Sequence, residues 1–364
     1  MRRALIGLAG VALLAASPPR AEGPPRARKV LAPTGFPGWQ THNVSFPFVV
    51  RDGATGSWRM YYTGSATDQR SGSAWDLWAT GVVRSPDLVR WRYPDDSEPV
   101  LTGRRFLEGD LVDHDGRVPA FDAIMAASAW VMKDGAQWRA WYTGWNGDER
   151  PRGGGRVEQV HFRIGHATSP DGLRWTKVRG TAEGGASIGL GAPGEADALA
   201  VAHPAVVKVG VAYHLWYEAY DGALWRIARA HSTDGMAWVK DGAALEPGRG
   251  DAPDALGARD PVVRKTAAGY ELWYQGQSPG APTFHVLRAT SADGARWTKQ
   301  PGEVVLHPDP PLGGEEGIHV GSVLAQPDGS SLVFFAKETA VPRRAAWGTV
   351  VDRTTAIYSE AMRP

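Results

Sequence analysis

Three aspartates occupy one recurring place in this chain. Asp122, Asp197 and Asp254 each stand seven residues ahead of the second residue of an apolar run: SAWVM from Ser128, HPAVV from His203 and DPVVR from Asp260. Gln40 and Glu315 hold the same place ahead of FPFVV from Phe46 and GSVLA from Gly321. Carboxyl groups gathered in one concave mouth repel, so that one of them keeps its proton near neutral pH. An ionised base and a protonated acid can then share a site, as general acid–base chemistry requires. Each aspartate also has a structural reading, because Asp caps its own loop by accepting backbone N–H groups two residues on.

Around this constant pattern other positions vary. The heads of the apolar runs are Phe46, Ser128, His203, Asp260 and Gly321, so Asp260 and His203 are departures rather than repeats. Glu218, in WYEA, stands where sister segments carry Thr63, Thr143 and Gln275. The repeat does not require a carboxylate there, which makes Glu218 the candidate acid; the bland alternative is a rim carboxylate paired with an arginine. Asp260, in ARDPVV, is the candidate base or nucleophile. His319, in EEGIHVGSV, is placed to point into a central channel and to touch an ion there. The 10 histidines are scattered without HExxH spacing, so no transition-metal motif is present. A GxSxG elbow, a phosphate loop and a dinucleotide fingerprint are absent as well, and no cofactor is expected to be required.

The elements that must position these groups are written as a repeat. The turn SPDLVRW at Ser85 returns as SPDGLRW at Ser169, STDGMAW at Ser232 and SADGARW at Ser291. Before each lies an aromatic run: WRMYYTG from Trp58, WRAWYTG from Trp138, YHLWYEA from Tyr213 and YELWYQG from Tyr270, with a divergent fifth copy, SLVFFAK, from Ser331. Each unit reads as strand, short turn, strand, loop, strand, Asp-Gly turn, strand. Asp-Gly suits such a turn because both residues tolerate positive φ. Near-continuous apolar strands fit sheets packed on both faces. Five units predict an all-β fold, a five-bladed β-propeller with four-stranded antiparallel blades around a central channel. The blades are expected to start near residues 44, 126, 201, 258 and 319, in one domain over 23–364. The repeated turn is read as structural, its Trp wedging between neighbouring blades.

Residues 1–22 read as a signal peptide: Arg2 and Arg3, an apolar run from Ala4 to Ala16, then SPPRAEG. A secreted or periplasmic protein follows, and a 13-residue run is too short to span a bilayer. The chain has no cysteine, which excludes disulfides, thiolate chemistry and a lipid-anchored Cys. Its 40 basic and 39 acidic residues nearly cancel without a basic stripe, so nucleic acid is not an expected partner, nor is a membrane once the signal is removed. A monomer is expected.

The units DPVVRKTAAGYELWYQG and LRATSADGARWTK resemble the furanosidase-like five-bladed propellers of glycoside hydrolase families 43, 32, 68 and 130, and the resemblance runs from about Val30 to the C-terminus. It implies a glycosidase acting on oligo- or polysaccharides with carboxylates from different blades. It also implies a calcium ion on the propeller axis near a last-blade histidine, where His319 stands. The departures are plain. The blade-one Asp-Pro of family 43 is Phe46-Pro47 here, and the glutamate expected ahead of a blade-three proline is replaced by Ala202-His203-Pro204. The Arg-Asp-Pro of families 32 and 68 appears as Arg259-Asp260-Pro261, but in the fourth blade. Trp39, Trp145 and Tyr220 would offer apolar faces to a sugar ring, with His42, His203 and Glu315 as polar partners. The alternative is a carbohydrate-binding propeller without catalysis.

Overall fold

The computed structural model describes residues 27–34, 39–40, 42–67, 76–93, 98–103, 120–147, 150–152, 156–158, 161–279, 281–300, 305–306, 317–345 and 348–362. After β1 (Arg28–Leu31) the chain runs through five antiparallel units. The first is β2 (Asn43–Arg51), β3 (Trp58–Thr67) and β4 (Asp76–Ser85), with Arg92 bridging to Arg84 at its edge. The second is β5 (Met125–Asp134) and β6 (Gln137–Trp145), a small hairpin of β7 (Arg150–Arg152) and β8 (Arg156–Glu158), then β9 (Arg163–Ser169) and β10 (Thr176–Val178). The third is β11 (Ala200–Val209), β12 (Ala212–Tyr220), β13 (Trp225–Ser232) and β14 (Val239–Leu245). The fourth is β15 (Gly257–Thr266), β16 (Gly269–Ser278), β17 (Ala281–Ser291) and β18 (Thr298–Lys299). The fifth is β19 (Ile318–Ala325), β20 (Ser331–Ala345) and β21 (Gly348–Met362), and β1 adds to its outer edge.

The innermost strands β2, β5, β11, β15 and β19 neighbour one another in a closed ring, which makes the molecule a propeller. Pairing the first strand to the last unit removes the open seam, since an unpaired edge would expose a row of backbone donors and acceptors. Trp130, on β5, lies across the ring: it packs against the apolar cores of the third, fourth and fifth blades and sits 4.3 Å from the Phe48 ring. An indole therefore occupies part of the space inside the ring.

The repeated turn locks one blade to the next. In the turn from Ser169, the Asp171 Oδ1 accepts the N–H groups of Leu173 and Arg174 at 2.8 and 2.9 Å. Trp175 meets Tyr61 of the preceding blade edge-on at 6.1 Å, and Tyr61 donates to the Gly172 carbonyl at 2.8 Å. Trp238 and Trp297 repeat this on Trp141 and Trp216, whose Nε1 groups donate to the carbonyls of Gly235 and Gly294. Gly294 is required: its φ is +74°, and a Cβ there would stand 2.7 Å from the Trp216 ring.

Candidate active site

Each innermost strand is interrupted where it reaches the axis. The pairing register skips between Ser45 and Phe48, Ala127 and Trp130, Ala202 and Ala205, and Arg259 and Val262. The bulged residues Phe46, Ser128, His203 and Asp260 have φ of 48°, 50°, 47° and 47°. A left-handed conformation in a non-glycine residue costs about 1–3 kcal/mol, and a bulge re-aims the side chain that carries it. In the fifth blade the place is Gly321, where a Cβ would lie 2.2 Å from the Pro47 carbonyl oxygen.

The residue near the end of each second strand braces the next bulge. Thr63 Oγ1 accepts the Ser128 N–H at 2.8 Å, and Thr143 Oγ1 accepts the His203 N–H at 2.9 Å. In the third and fourth blades the same position carries Glu218 and Gln275, and here the scaffold turns into a charged centre. His203 Nδ1 lies 2.5 Å from Glu218 Oε2 and 2.9 Å from Asp260 Oδ1. Asp260 Oδ2 meets His319 Nδ1 at 2.6 Å. Arg259 Nε donates to Glu218 Oε1 at 2.6 Å, while its guanidinium stacks over Trp225 at 4.3 Å. The Phe46 ring stacks on His203 at 4.5 Å and lies 4.8 Å from His319.

Electrostatics follow from this arrangement. Burial disfavours the charged form of His203, but the Glu218 and Asp260 carboxylates outweigh it and push its pKa up to about 10. Burial likewise works against ionised Asp260 and Glu218. The imidazoles of His203 and His319 hold Asp260 well below the usual carboxylate range, and Arg259 and His203 lower Glu218. The centre is thus an imidazolium between two carboxylates. A general acid needs the opposite setting, so Glu218 as it stands is a paired anion and not a proton donor. Near it, burial raises the carboxyl of Glu338 on β20, against the pull of His319.

The expected ring of carboxylates does not form. Asp122, Asp197 and Asp254 are buried over the middle of their own blades. Their Oδ2 atoms accept from Tyr142, Tyr217 and Tyr274 at 2.8, 2.8 and 3.0 Å, and from Lys177, Lys240 and Lys299 on the fourth strands. Gln40 takes the Tyr62 hydroxyl in the same way. These partners repeat as faithfully as the aspartates, and that shared periodicity is the sequence signal for a structural bracket. Asp260, Glu218, His203 and His319 are brought together. The aromatic candidates are packing groups: Trp39 stacks on Tyr62 and fills the space above Gly64 and Gly81. Tyr220 stacks on Trp225 at 4.5 Å, and Trp145 is buried with Met125 and Ala127. His42 is half-buried and pairs its backbone N–H with Ser65, and Glu315 lies outside the described residues. Sequence reading missed three groups: Phe46 as the lid between the imidazoles, Arg259 as the partner of Glu218, and Trp130 on the axis.

The centre does not suit calcium, which takes six to eight oxygen ligands. It offers two imidazole nitrogens and two carboxylates already paired with cations. The axial cavity, about 40 Å³, is lined by His203 and Asp260 of this centre and by apolar groups that include Phe46, Phe48, Trp130 and Val262. That volume admits water but no sugar ring.

No family model matches the sequence, and no curated protein is similar to it. Solved structures do match its shape. A glycosyl hydrolase from Bacteroides ovatus superposes with a TM-score of 0.61 at 15% identity, covering 91% of this chain and 90% of that one. A protein described with the family 130 glycoside hydrolases that target β-1,2 mannosidic linkages in Candida mannan gives 0.58 at 14%, covering 94% and 98%. Sucrose-6-phosphate hydrolase from Lactobacillus gasseri gives 0.60 at 14%, covering 93% of this chain and 61% of that one. The fold is therefore one this chain shares with these solved structures.

Proposed function

We propose that the protein is a glycoside hydrolase, acting on an oligo- or polysaccharide at the mouth above Asp260, His203 and His319. One observation carries this reading: Glu218 and Asp260 are buried ions in a place where the scaffold needs none. Sister blades hold Thr63 and Thr143, or Phe46, Ser128 and Gly321, in the equivalent positions and keep the same strands. Burying a carboxylate costs several kcal/mol unless it is compensated (~20 kcal/mol in the uncompensated limit), and Arg259, His203 and His319 are all committed to that compensation. An arrangement so costly to the scaffold is supported by a task outside it.

Glycoside cleavage passes through an oxocarbenium-like state. Asp260 supplies fixed negative charge below it, and such preorganised charge is worth most where water is excluded. Phe46 fills the blade-one place, so the negative charge comes from the fourth blade instead. Attack by Asp260 as base or nucleophile would require it to release one imidazole; electrostatic support requires no release. A secreted or periplasmic location belongs to this reading, supported by the leader-like segment at residues 1–22.

A second reading, a carbohydrate-binding propeller without turnover, draws on the same paired carboxylates and on Phe46. The test is product release from arabinose-, xylose-, fructose-, mannose- and galactose-containing glycans by the wild type and Asp260→Asn. Asn tolerates the left-handed φ of this position, so the variant should fold. Its turnover is expected to fall by about a hundredfold or more, the size of loss seen when one preorganised group is removed. Saturable glycan binding with no release by the wild type would favour the second reading, and an unchanged rate in the variant would remove Asp260 from the site.

A further inference from the structure

The central carboxylates have no oxygen to spare. Glu218 gives Oε1 to Arg259 and Oε2 to His203, and Asp260 gives Oδ1 to His203 and Oδ2 to His319. Neither can hand a proton to a leaving group, or take one, without breaking an ion pair in a buried place. His203 faces both carboxylates with the same Nδ1, and a cation held that tightly gives up its proton reluctantly. His319 differs. Its Nδ1 faces ionised Asp260 alone among the carboxylates, which fixes a proton on Nδ1. Its Nε2 has no polar partner among the described residues, and its side chain is 29% exposed, against 16% for His203 and 3% for Asp260. Gln275 Nε2, donating to the Ile318 carbonyl at 2.9 Å, stands 3.2 Å from Nδ1 and hems the ring from the fourth blade. The Phe46 ring walls another side.

We infer that His319, on the hydrolase reading above, is the catalytic acid–base residue, exchanging a proton with the glycosidic oxygen through Nε2, and that Asp260 is its positioning residue. The imidazolium Nε2–H protonates the leaving oxygen as the bond from the anomeric carbon to that oxygen breaks. A water then adds its hydroxyl to the anomeric carbon and gives its proton back to Nε2, so that the bond is hydrolysed and the histidine restored. The ionisable groups facing this ring are Asp260, His203 beyond it, and Glu338 on β20. A nearby carboxyl that burial raises, Glu338 is the natural rival for the same task.

Leaving-group dependence separates the roles. The probes are dinitrophenyl and methyl glycosides of whichever sugar the wild type releases. The dinitrophenolate leaves without protonation, whereas methoxide does not. His319→Gln is expected to lose at least a hundredfold in kcat/KM on the methyl glycoside but less than tenfold on the dinitrophenyl glycoside. Added imidazole should restore activity to His319→Gly. Equal losses on both glycosides, or the leaving-group pattern in Glu338→Gln instead, would overturn the assignment while leaving a hydrolase. A wild type inactive on every glycan and glycoside would overturn the hydrolase reading itself, and this inference with it.

Discussion

Asp260 and Asp197 are both buried aspartates on an ionic partner, yet they differ in what the partner is for. Asp197 joins Tyr217 and Lys240 within its own blade, and two other blades repeat the join. Removing it strands the buried Tyr217 hydroxyl, which costs about 1–3 kcal/mol, and takes the carboxylate from the Lys240 ammonium, which keeps the Gly189 carbonyl at 2.8 Å. Asp197→Ala is therefore expected to lower the thermal midpoint by several degrees and to leave kcat/KM within about threefold, by melting curves and glycan turnover on one preparation. A hundredfold loss of turnover at unchanged stability would return Asp197 to the active site. Asp260→Asn also leaves the His203 and His319 imidazoles without their carboxylate, so some stability is lost there too, and the distinguishing outcome is a fall in turnover of about a hundredfold or more. Residue type did not tell these two apart in the sequence. Repetition did, once it was seen that Tyr142, Tyr217 and Tyr274 and Lys177, Lys240 and Lys299 recur together with the aspartates.

At the scale of elements, the S-x-D-G turn is a joint between blades. Gly294 carries φ +74° and leaves no room for a Cβ beside the Trp216 ring. Gly294→Ala combines left-handed strain with displacement of a buried indole from its carbonyl partner, and a loss of about 1–3 kcal/mol is expected in chemical denaturation. A variant as stable as the wild type would mean that the turn does not lock the blades. The strand order, the hairpin turns and the tryptophan wedges were all legible beforehand, because each rests on a local rule applied repeatedly. The bulges were not. They recur at the head of every apolar run, but Phe46, Ser128, His203, Asp260 and Gly321 share no residue type that marks a bulge.

Across the whole molecule, two histidines set opposite ends of the pH range. His166 on β9 is buried against Trp141 at 5.3 Å, and neither ring nitrogen has a hydrogen-bond partner among the described residues. Burial, aided by Arg139, lowers its pKa to about 4 from an ordinary 6.5. The folded protein then binds fewer protons than the unfolded chain, so stability should fall as pH drops through 6.5 towards 4. His203 is raised to about 10, so its contribution is complete below 6.5 and is lost as pH rises towards 10. Thermal midpoints across this range should show both declines. His166→Val, the residue blade one carries there as Val82, should flatten the acid side, and His203→Gln the alkaline side. Declines unchanged in these variants would place the titrating groups elsewhere.

The sequence by itself determined the architecture. Alternating strands, Asp-Gly turns and aromatic wedges are short-range patterns, and five copies of one unit can bury their faces only by stacking around an axis. It also pointed to Glu218, Asp260 and His203, because each breaks the repeat, and to His319 by its place at the opening of the last blade. Only the tertiary structure decided how they act. Glu218, His203, Asp260 and His319 come from β12, β11, β15 and β19, so their meeting depends on ring closure and on left-handed bulges, neither of which is written in local residue order. The same closure placed Phe46 between the imidazoles and took up every oxygen of the two carboxylates. An ion's role is fixed by its neighbours in space, and here those neighbours lie on different blades.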